Sequence, residues 1–216
     1  MNEQAIRKQF VFFGKSLHQR GYACGSSGNI SVRIDQDFLV SPTNSCLGQL
    51  EPEAISKINA DGELLDGAPP TKEARLHLAY YAARPQEQAI VHLHSTYAVA
   101  ISCLANLDSE NVIPPLTAYF VMRIGKLPLV PFFPPGDAGL AEAVGVVAGK
   151  SHAILLANHG PVVGGRDLES AVYAAEELEE TAKLYLLLRG ATVSPLSLDQ
   201  CSTLDGHRRA SAPITL

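Results

Sequence analysis

The sequence predicts an α/β chain folded as one domain, a mixed sheet flanked by helices, and three observations lead there. Short β-branched runs such as NISVRI, AIVHLHS and AILLANHG alternate with longer segments of helical period. The helical segments start at polar capping residues or stop at glycine, and no internal repeat or low-complexity linker divides the chain. With 216 residues, 46% of them apolar, the chain can fill one core, and nothing in its length demands a second.

In order, residues 3–20 form a first helix with Asn2 as N-cap, Gly21 as its stop and Ile6, Phe10, Phe13 and Leu17 as its apolar stripe. The turn GSSG then runs into a strand, NISVRI, and DFLVSPT returns as a second. SKINADGELL predicts a hairpin with Asp61-Gly62 at its turn. TKEARLHLAYYAAR follows as a helix capped by Thr71, and AIVHLHS as a buried strand. Ser95 caps a short helix through VAISCL, whereas the proline-rich IPPLTAYFVM carries no assignable period. LVPFF is expected as a strand, Asp137 as the cap of the helix GLAEAVGVVAGK, and AILLANHG as another buried strand. Residues 167–189 make a long helix ended by Gly190. From about residue 194 the pattern fades, and a tail is expected that is mobile or folds onto a neighbour.

Composition removes several functional classes. The net charge is −5 and no basic stretch exceeds a few residues, so the electrostatic footprint of a nucleic-acid binder is missing. The first twenty residues scatter Glu3, Arg7, Lys8 and Lys15 through an amphipathic pattern unlike a secretory signal. No run approaches the roughly 18 apolar residues that span a bilayer. Cys24, Cys46, Cys103 and Cys201 are far apart with no Cys-x-x-Cys pair, which points to reduced thiols and a cytoplasmic protein without membrane partners.

The chemistry-bearing residues fall into a few clusters. In HLHS, His92 and His94 are two apart on a strand and leave the same face, where two imidazoles would repel if both were protonated. A shared cation is one reason for them to sit there, with His159 of NHG as a third candidate; core histidines bonded to carbonyls are the competing reading. Glu73 stands at a helix N-terminus, where a carboxylate is favoured by the dipole alone, and His77 lies one turn on. Three groups of anion donors complete the set: Ser26, Ser27 and Asn29 in GSSGNIS, Thr43 and Asn44 in SPTNS, and Thr71-Lys72 before the helix. Spacing alone does not show whether these groups converge.

GNIS, TKE at 71–73, HLH, AYFVMRIGKLPLVPFFPPGD and NHG, in that order, resemble the class II aldolase/adducin family over most of the chain to about residue 190. The resemblance implies a central, largely antiparallel sheet between helix layers, assembled as a homotetramer with active sites at subunit interfaces. It makes His92, His94 and His159 the ligands of a zinc ion, with another divalent ion as the alternative, and Glu73 the catalytic acid/base. Ser26, Ser27, Asn29, Thr43, Asn44, Thr71 and Lys72 fall in the segments where the family binds substrate phosphate. Tyr119 aligns with a tyrosine lent across the interface as a proton donor.

Within the family, RGYACGSSGNISVRI, LVSPTNSCLGQL and PPTKEARLHLAYYAARP are most similar to the branch that decarboxylates phosphorylated four-carbon 3-keto acids. Sugar-phosphate aldolases more often carry serine at Lys72 and glycine at Asn44. The resemblance therefore implies zinc-dependent conversion of 3-oxo-tetronate 4-phosphate to dihydroxyacetone phosphate and carbon dioxide through a metal-stabilised enediolate. A ketose-phosphate aldolase or epimerase is the enzymatic alternative, and an adducin-head-like assembly module the non-enzymatic one. Decarboxylation has no departing aldehyde oxygen for Tyr119 to serve, which leaves it to position the carboxylate or to pack; Arg123 is a further candidate for the carboxylate. Partial desolvation would raise the Glu73 pKa and a metal ion would lower it.

Overall fold

The structure is a computed structural model describing residues 2–210. Its strands are β1 (Asn29–Ile34), β2 (Asp37–Val40), β3 (Ser56–Ile58), β4 (Leu64–Asp66), β5 (Ala89–His92), β6 (Leu129–Val130), β7 (Ala153–Leu156) and β8 (Gly160–Gly165). Its helices are α1 (Glu3–Gln19), α2 (Ala74–Ala83), α3 (Thr96–Ser102), α4 (Ala118–Arg123), α5 (Ala138–Ala148), α6 (Leu168–Leu187) and α7 (Leu198–Ala210). The strands form one sheet in the order β4-β3-β2-β1-β5-β8-β7-β6. Every neighbouring pair is antiparallel except β6 beside β7. The expected largely antiparallel sheet between helix layers is thus the observed one.

Strand alternation builds the layers. Ile30 and Val32 of β1 and Val91 of β5 join one core with Phe10, Leu17, Ile101, Val172 and Leu178 from α1, α3 and α6. Ile90, Ile154 and Val162 face the opposite way and join Leu76, Tyr80 and Tyr81 of α2 and Leu140 and Val144 of α5. His92 is two residues from Ile90 and so belongs to the α2 side. Fully burying each of these large apolar side chains contributes about 1.5–3 kcal/mol, which makes the two cores the main support of the sheet.

Local signals were mostly honoured. Asn2 caps α1 by accepting from the Ala5 amide at 2.9 Å, and Asp137 caps α5 by accepting from Gly139 at 2.7 Å. The β3–β4 hairpin turns through Gly62 at φ +84°. Several expectations need correction. α2 begins at Ala74 and not at Thr71: Thr71 Oγ1 accepts from the Glu73 amide at 3.3 Å, and Glu73 is the N-cap residue. AILLANHG is not one strand, because β7 stops at Leu156 and the chain reverses into β8, PVVGG, which glycine content hides. A Cβ on Gly164 would lie 2.3 Å from the Tyr80 hydroxyl, so that glycine marks close approach and not a loop. The unassigned proline-rich stretch contains α4, capped by Thr117 Oγ1 on the Phe120 amide at 3.1 Å and too short to show a period.

The C-terminal segment, for which no clear period was expected, carries a helix. Residues Leu198–Ala210 form α7, with the Ser197 amide donating to Gln200 Oε1 at 2.8 Å and the Gln200 amide to Ser197 Oγ at 3.3 Å, a reciprocal cap legible in SLDQ. The Leu196 amide ties this segment to the Pro115 carbonyl at 2.9 Å. The rest of the expected tail, residues 211–216, lies outside the described residues. Among the described residues no helix is long and apolar enough to cross a membrane.

Candidate metal centre

Sheet register brings distant motifs to one edge. Asn29, at the start of β1, pairs with His92 at the end of β5, and His92 pairs with Val162 near the start of β8. Leu156 at the end of β7 pairs with Gly160, so His159 sits in the β7–β8 turn beside His92. A Cβ on Gly160 would fall 2.2 Å from the Leu93 carbonyl oxygen, and glycine there lets the turn close onto β5. The loops holding Thr43 and Thr71 are stitched together by Thr43 N–H to Pro69 O and Thr71 N–H to Ser41 O, both 2.9 Å. Ser41 Oγ accepts in turn from the Ile30 amide at 2.9 Å, next to Asn29. The three donor-rich segments and the histidines therefore share one end of the sheet.

The three Nε2 atoms form a nearly equilateral triangle: His92 to His159 is 3.3 Å, His94 to His92 is 3.2 Å, and His159 to His94 is 3.1 Å. Hydrogen bonds cannot account for it. Each Nε2 is either a donor or an acceptor, and with two roles on three corners at least one pair must share a role. Nitrogens about 2.0–2.1 Å from one tetrahedral zinc stand about 3.3–3.4 Å apart, close to the edges seen. His92 Nδ1 faces the Pro161 carbonyl at 2.8 Å and donates to it, which leaves the neutral ring's Nε2 lone pair directed at the triangle.

Glu73 closes the group. Its Oε2 is 3.4 Å from His92 Nε2 and its Oε1 is 3.3 Å from His159 Nε2. Oε1 is buried without a well-formed hydrogen bond, and the four ligand atoms lie within 4.8 Å of one another. An orphaned carboxylate oxygen beside three convergent imidazoles fits a divalent cation. As N-cap residue Glu73 makes no capping bond, because its carboxylate turns inward to accept from Asn29 Nδ2 at 2.7 Å.

Charge in this pocket is shared out unevenly. Burial pushes the Glu73 carboxyl up, but the His92 charge, the close His159 and His92 rings and the Asn29 hydrogen bond outweigh it and hold the pKa well below the carboxylate range. Burial pushes His92 down, yet the Glu73 carboxylate carries it above its ordinary value. His94 is lowered to about 4 by burial and by the neighbouring His92 and His159. The pocket favours one positive charge against an ionised Glu73, a balance that a bound cation satisfies in place of a proton.

The remaining candidates are placed less uniformly. Asn29 is buried, with Nδ2 on Glu73 and Oδ1 on His77 Nε2 at 2.5 Å, so it is a support of the site as much as a surface for substrate. Ser27 Oγ donates to the Cys24 carbonyl at 2.6 Å, Ser26 and Asn44 are exposed, and Asn44 adopts φ +55°. Lys72 is exposed next to Glu73, and no ion pair engages it among the described residues. Tyr119 is 61% exposed on α4. Arg123 lies 6.0 Å from the Tyr119 ring centroid and 5.9 Å from that of Tyr173, lining a surface cavity of about 370 Å³ with Arg20 and Glu176.

One supporting residue escaped the sequence reading. Glu179 of α6 is buried and accepts from the Tyr97 and Ala98 amides at 2.7 and 2.8 Å, capping α3 directly after His94 and Ser95. Ser95, the expected cap, leaves its Oγ without a partner. The signal was available: Glu179 falls four residues after Ala175 and eight after Ala171, on the helix stripe that is otherwise apolar.

This fold with this arrangement of three imidazoles and a carboxylate defines a class. The chain belongs to the family described as the class II aldolase and adducin N-terminal domain, matched over residues 8–186. It is an enzyme, a carbon–carbon lyase. Among its most similar relatives is the 3-oxo-tetronate 4-phosphate decarboxylase of Escherichia coli strain K12, 48% identical over 203 residues, covering 94% of this chain and 96% of the relative. The crystal structure of YgbL from Klebsiella pneumoniae superimposes with a TM-score of 0.93 at 45% identity, covering 94% and 99% of the two chains. The L-fuculose phosphate aldolase of Methanocaldococcus jannaschii is 36% identical over 84% of this chain and 96% of its own.

Proposed function

We propose that the protein decarboxylates 3-oxo-tetronate 4-phosphate to dihydroxyacetone phosphate and carbon dioxide, in the cytoplasm, as a homotetramer with one zinc ion or related divalent ion per subunit. The observation that carries the reading is the Nε2 triangle of 3.1–3.3 Å faced by the Glu73 carboxylate. Near-half identity to relatives named for this activity, across nearly the whole length of both chains, supports the choice of substrate. His92, His94 and His159 would hold the ion, which supplies a Lewis acid for negative charge developing on a substrate oxygen.

The chain's own residues do the rest. The carbon–carbon bond to the carboxylate breaks, carbon dioxide leaves, and the electron pair is shared between C2 and the C3 carbonyl oxygen; one proton added at C2 completes dihydroxyacetone phosphate. Glu73 is ionised at rest, so it must first take up a proton before returning it to C2 as the acid. Glu73 and His92 are buried, and surroundings poor in water strengthen each electrostatic contact they make. Ser26, Ser27, Thr43, Asn44, Thr71 and Lys72 line the same sheet end and would bind the phosphate, with Lys72 adding the positive charge. Tyr119 would reach the site of a neighbouring subunit from its exposed place on α4.

Incubating the zinc-loaded protein with 3-oxo-tetronate 4-phosphate and following both products tests the proposal. Stoichiometric carbon dioxide and dihydroxyacetone phosphate are expected. No carbon dioxide, together with cleavage of fuculose or ribulose phosphate, would replace the decarboxylase by an aldolase.

A further inference from the structure

Behind Glu73 runs a buried chain of polar groups, of which His77, Ser31 and Tyr81 serve neither metal binding nor phosphate binding. Glu73, His77 and Tyr81 are spaced four apart along the start and inner face of α2, opposite Asn29 and Ser31, two apart on β1. Asn29 Nδ2 lies 2.7 Å from Glu73 Oε2, His77 Nε2 2.5 Å from Asn29 Oδ1, Ser31 Oγ 2.6 Å from His77 Nδ1, and Tyr81 Oη 3.0 Å from Ser31 Oγ. All five side chains belong to residues less than a tenth exposed. Buried polar groups are expensive unless every donor meets an acceptor, so the assignment is constrained throughout.

The directions follow one from another. Asn29 donates through Nδ2 to Glu73 Oε2, which leaves its amide oxygen facing His77 Nε2. His77 Nε2 must then carry the hydrogen, and the neutral ring's bare Nδ1 accepts from the Ser31 hydroxyl. Ser31, with its hydrogen spent, accepts from the Tyr81 hydroxyl. Burial keeps His77 neutral by lowering its pKa to about 3 and keeps Tyr81 protonated by raising its own. Reversing any member would set the amide oxygen of Asn29 against the Glu73 carboxylate.

We propose that Tyr81, Ser31 and His77 form a one-way hydrogen-bond relay that locks the Asn29 amide with its nitrogen toward Glu73, making the three positioning residues for the reacting carboxylate. The role of Glu73 in this inference rests on the function proposed above; the direction of the relay does not. His77 is accordingly not a fourth nitrogen ligand, since both its ring nitrogens are committed to Asn29 and Ser31. A Glu-x-x-x-His-x-x-x-Tyr stripe set against an Asn-x-Ser strand is what the relay requires of a sequence.

Two experiments decide it. Nitrogen-15 NMR of histidine-labelled, zinc-loaded protein, with the His77 signals assigned by their loss in His77→Gln, should show Nε2 bearing hydrogen and Nδ1 bare; the opposite tautomer or a doubly protonated ring overturns the relay. In the decarboxylation assay, Ser31→Ala should lower kcat about 10- to 100-fold, the range for loss of a partner behind a site residue, with KM and zinc content nearly unchanged. Ser31→Thr, which restores the hydroxyl, should recover most of that loss. An unchanged kcat in Ser31→Ala, or no recovery in a folded Ser31→Thr that binds zinc normally, overturns the positioning role. Should the wild-type protein fail to decarboxylate at all, the proposed function falls, while the tautomer still confirms or refutes the relay.

Discussion

Replacing Glu179 by alanine should loosen the metal centre from a distance. The carboxylate accepts two short amide hydrogen bonds, 2.7 Å from Tyr97 and 2.8 Å from Ala98, and these are orphan donors of the α3 N-terminus. Alanine would leave the buried Ala98 amide and the part-buried Tyr97 amide unpaired, at about 1–3 kcal/mol each, while relieving part of the cost of burying a carboxylate. A net loss of about 3 kcal/mol is expected, and for a chain of this length each kcal/mol moves the melting point by about 2–4 °C, giving a drop of about 6–12 °C. Melting should be followed by circular dichroism on chelator-treated protein, so that lost metal is not counted as lost stability. Because α3 starts two residues after His94, zinc affinity measured against a competing chelator should weaken as well. Glu179→Gln, which keeps one acceptor, should fall between the two. A Glu179→Ala protein melting within about 2 °C of wild type would refute the capping argument, given the size expected for two lost charge-assisted bonds.

Gly160→Ala should destabilise the β7–β8 turn, because its Cβ would meet the Leu93 backbone oxygen at 2.2 Å; overpacking of this kind costs about 1–3 kcal/mol, and zinc content measured by elemental analysis should fall with the displaced His159. Chelation should abolish activity, re-addition of zinc should restore it, and the metal-free protein should melt lower by the equivalent of about 2.7 kcal/mol for zinc held at 100 times its dissociation constant. Lys72→Ala should raise KM for the phosphorylated substrate about 10- to 100-fold with little change in zinc content, the effect of one lost charged hydrogen bond, and steady-state kinetics will show an unaltered KM if Lys72 touches no substrate.

Short apolar and β-branched runs were enough to read β1, β2 and β5, and a period of 3.6 the buried face of α1, because such patterns report which residues meet a core. Capping residues placed the starts of α1 and α5 for the same local reason: Asn2 and Asp137 bond amides three and two residues away. Local rules failed where a residue's partner came from elsewhere. The strand holding Gly164 and Gly165 was left unassigned because the close approach of Tyr80 and Ala171 removes the side chains that would show a pattern, and the cap expected of Ser95 is supplied by Glu179.

The histidine pair and Glu73 were legible as chemistry because their residue types are costly to bury without a purpose. Strand periodicity predicted His92 and His94 side by side on one face; β5 in fact ends at His92, and His94 joins it from just beyond the strand, with the two Nε2 atoms 3.2 Å apart. Only the tertiary structure decided that His159, 65 residues beyond His94, closes the triangle at 3.1 Å, and that Glu73 turns into it and away from its helix. Period and capping are set by bonds along the chain, whereas these contacts depend on the register of β1, β5, β8 and β7, which the whole packed sheet sets.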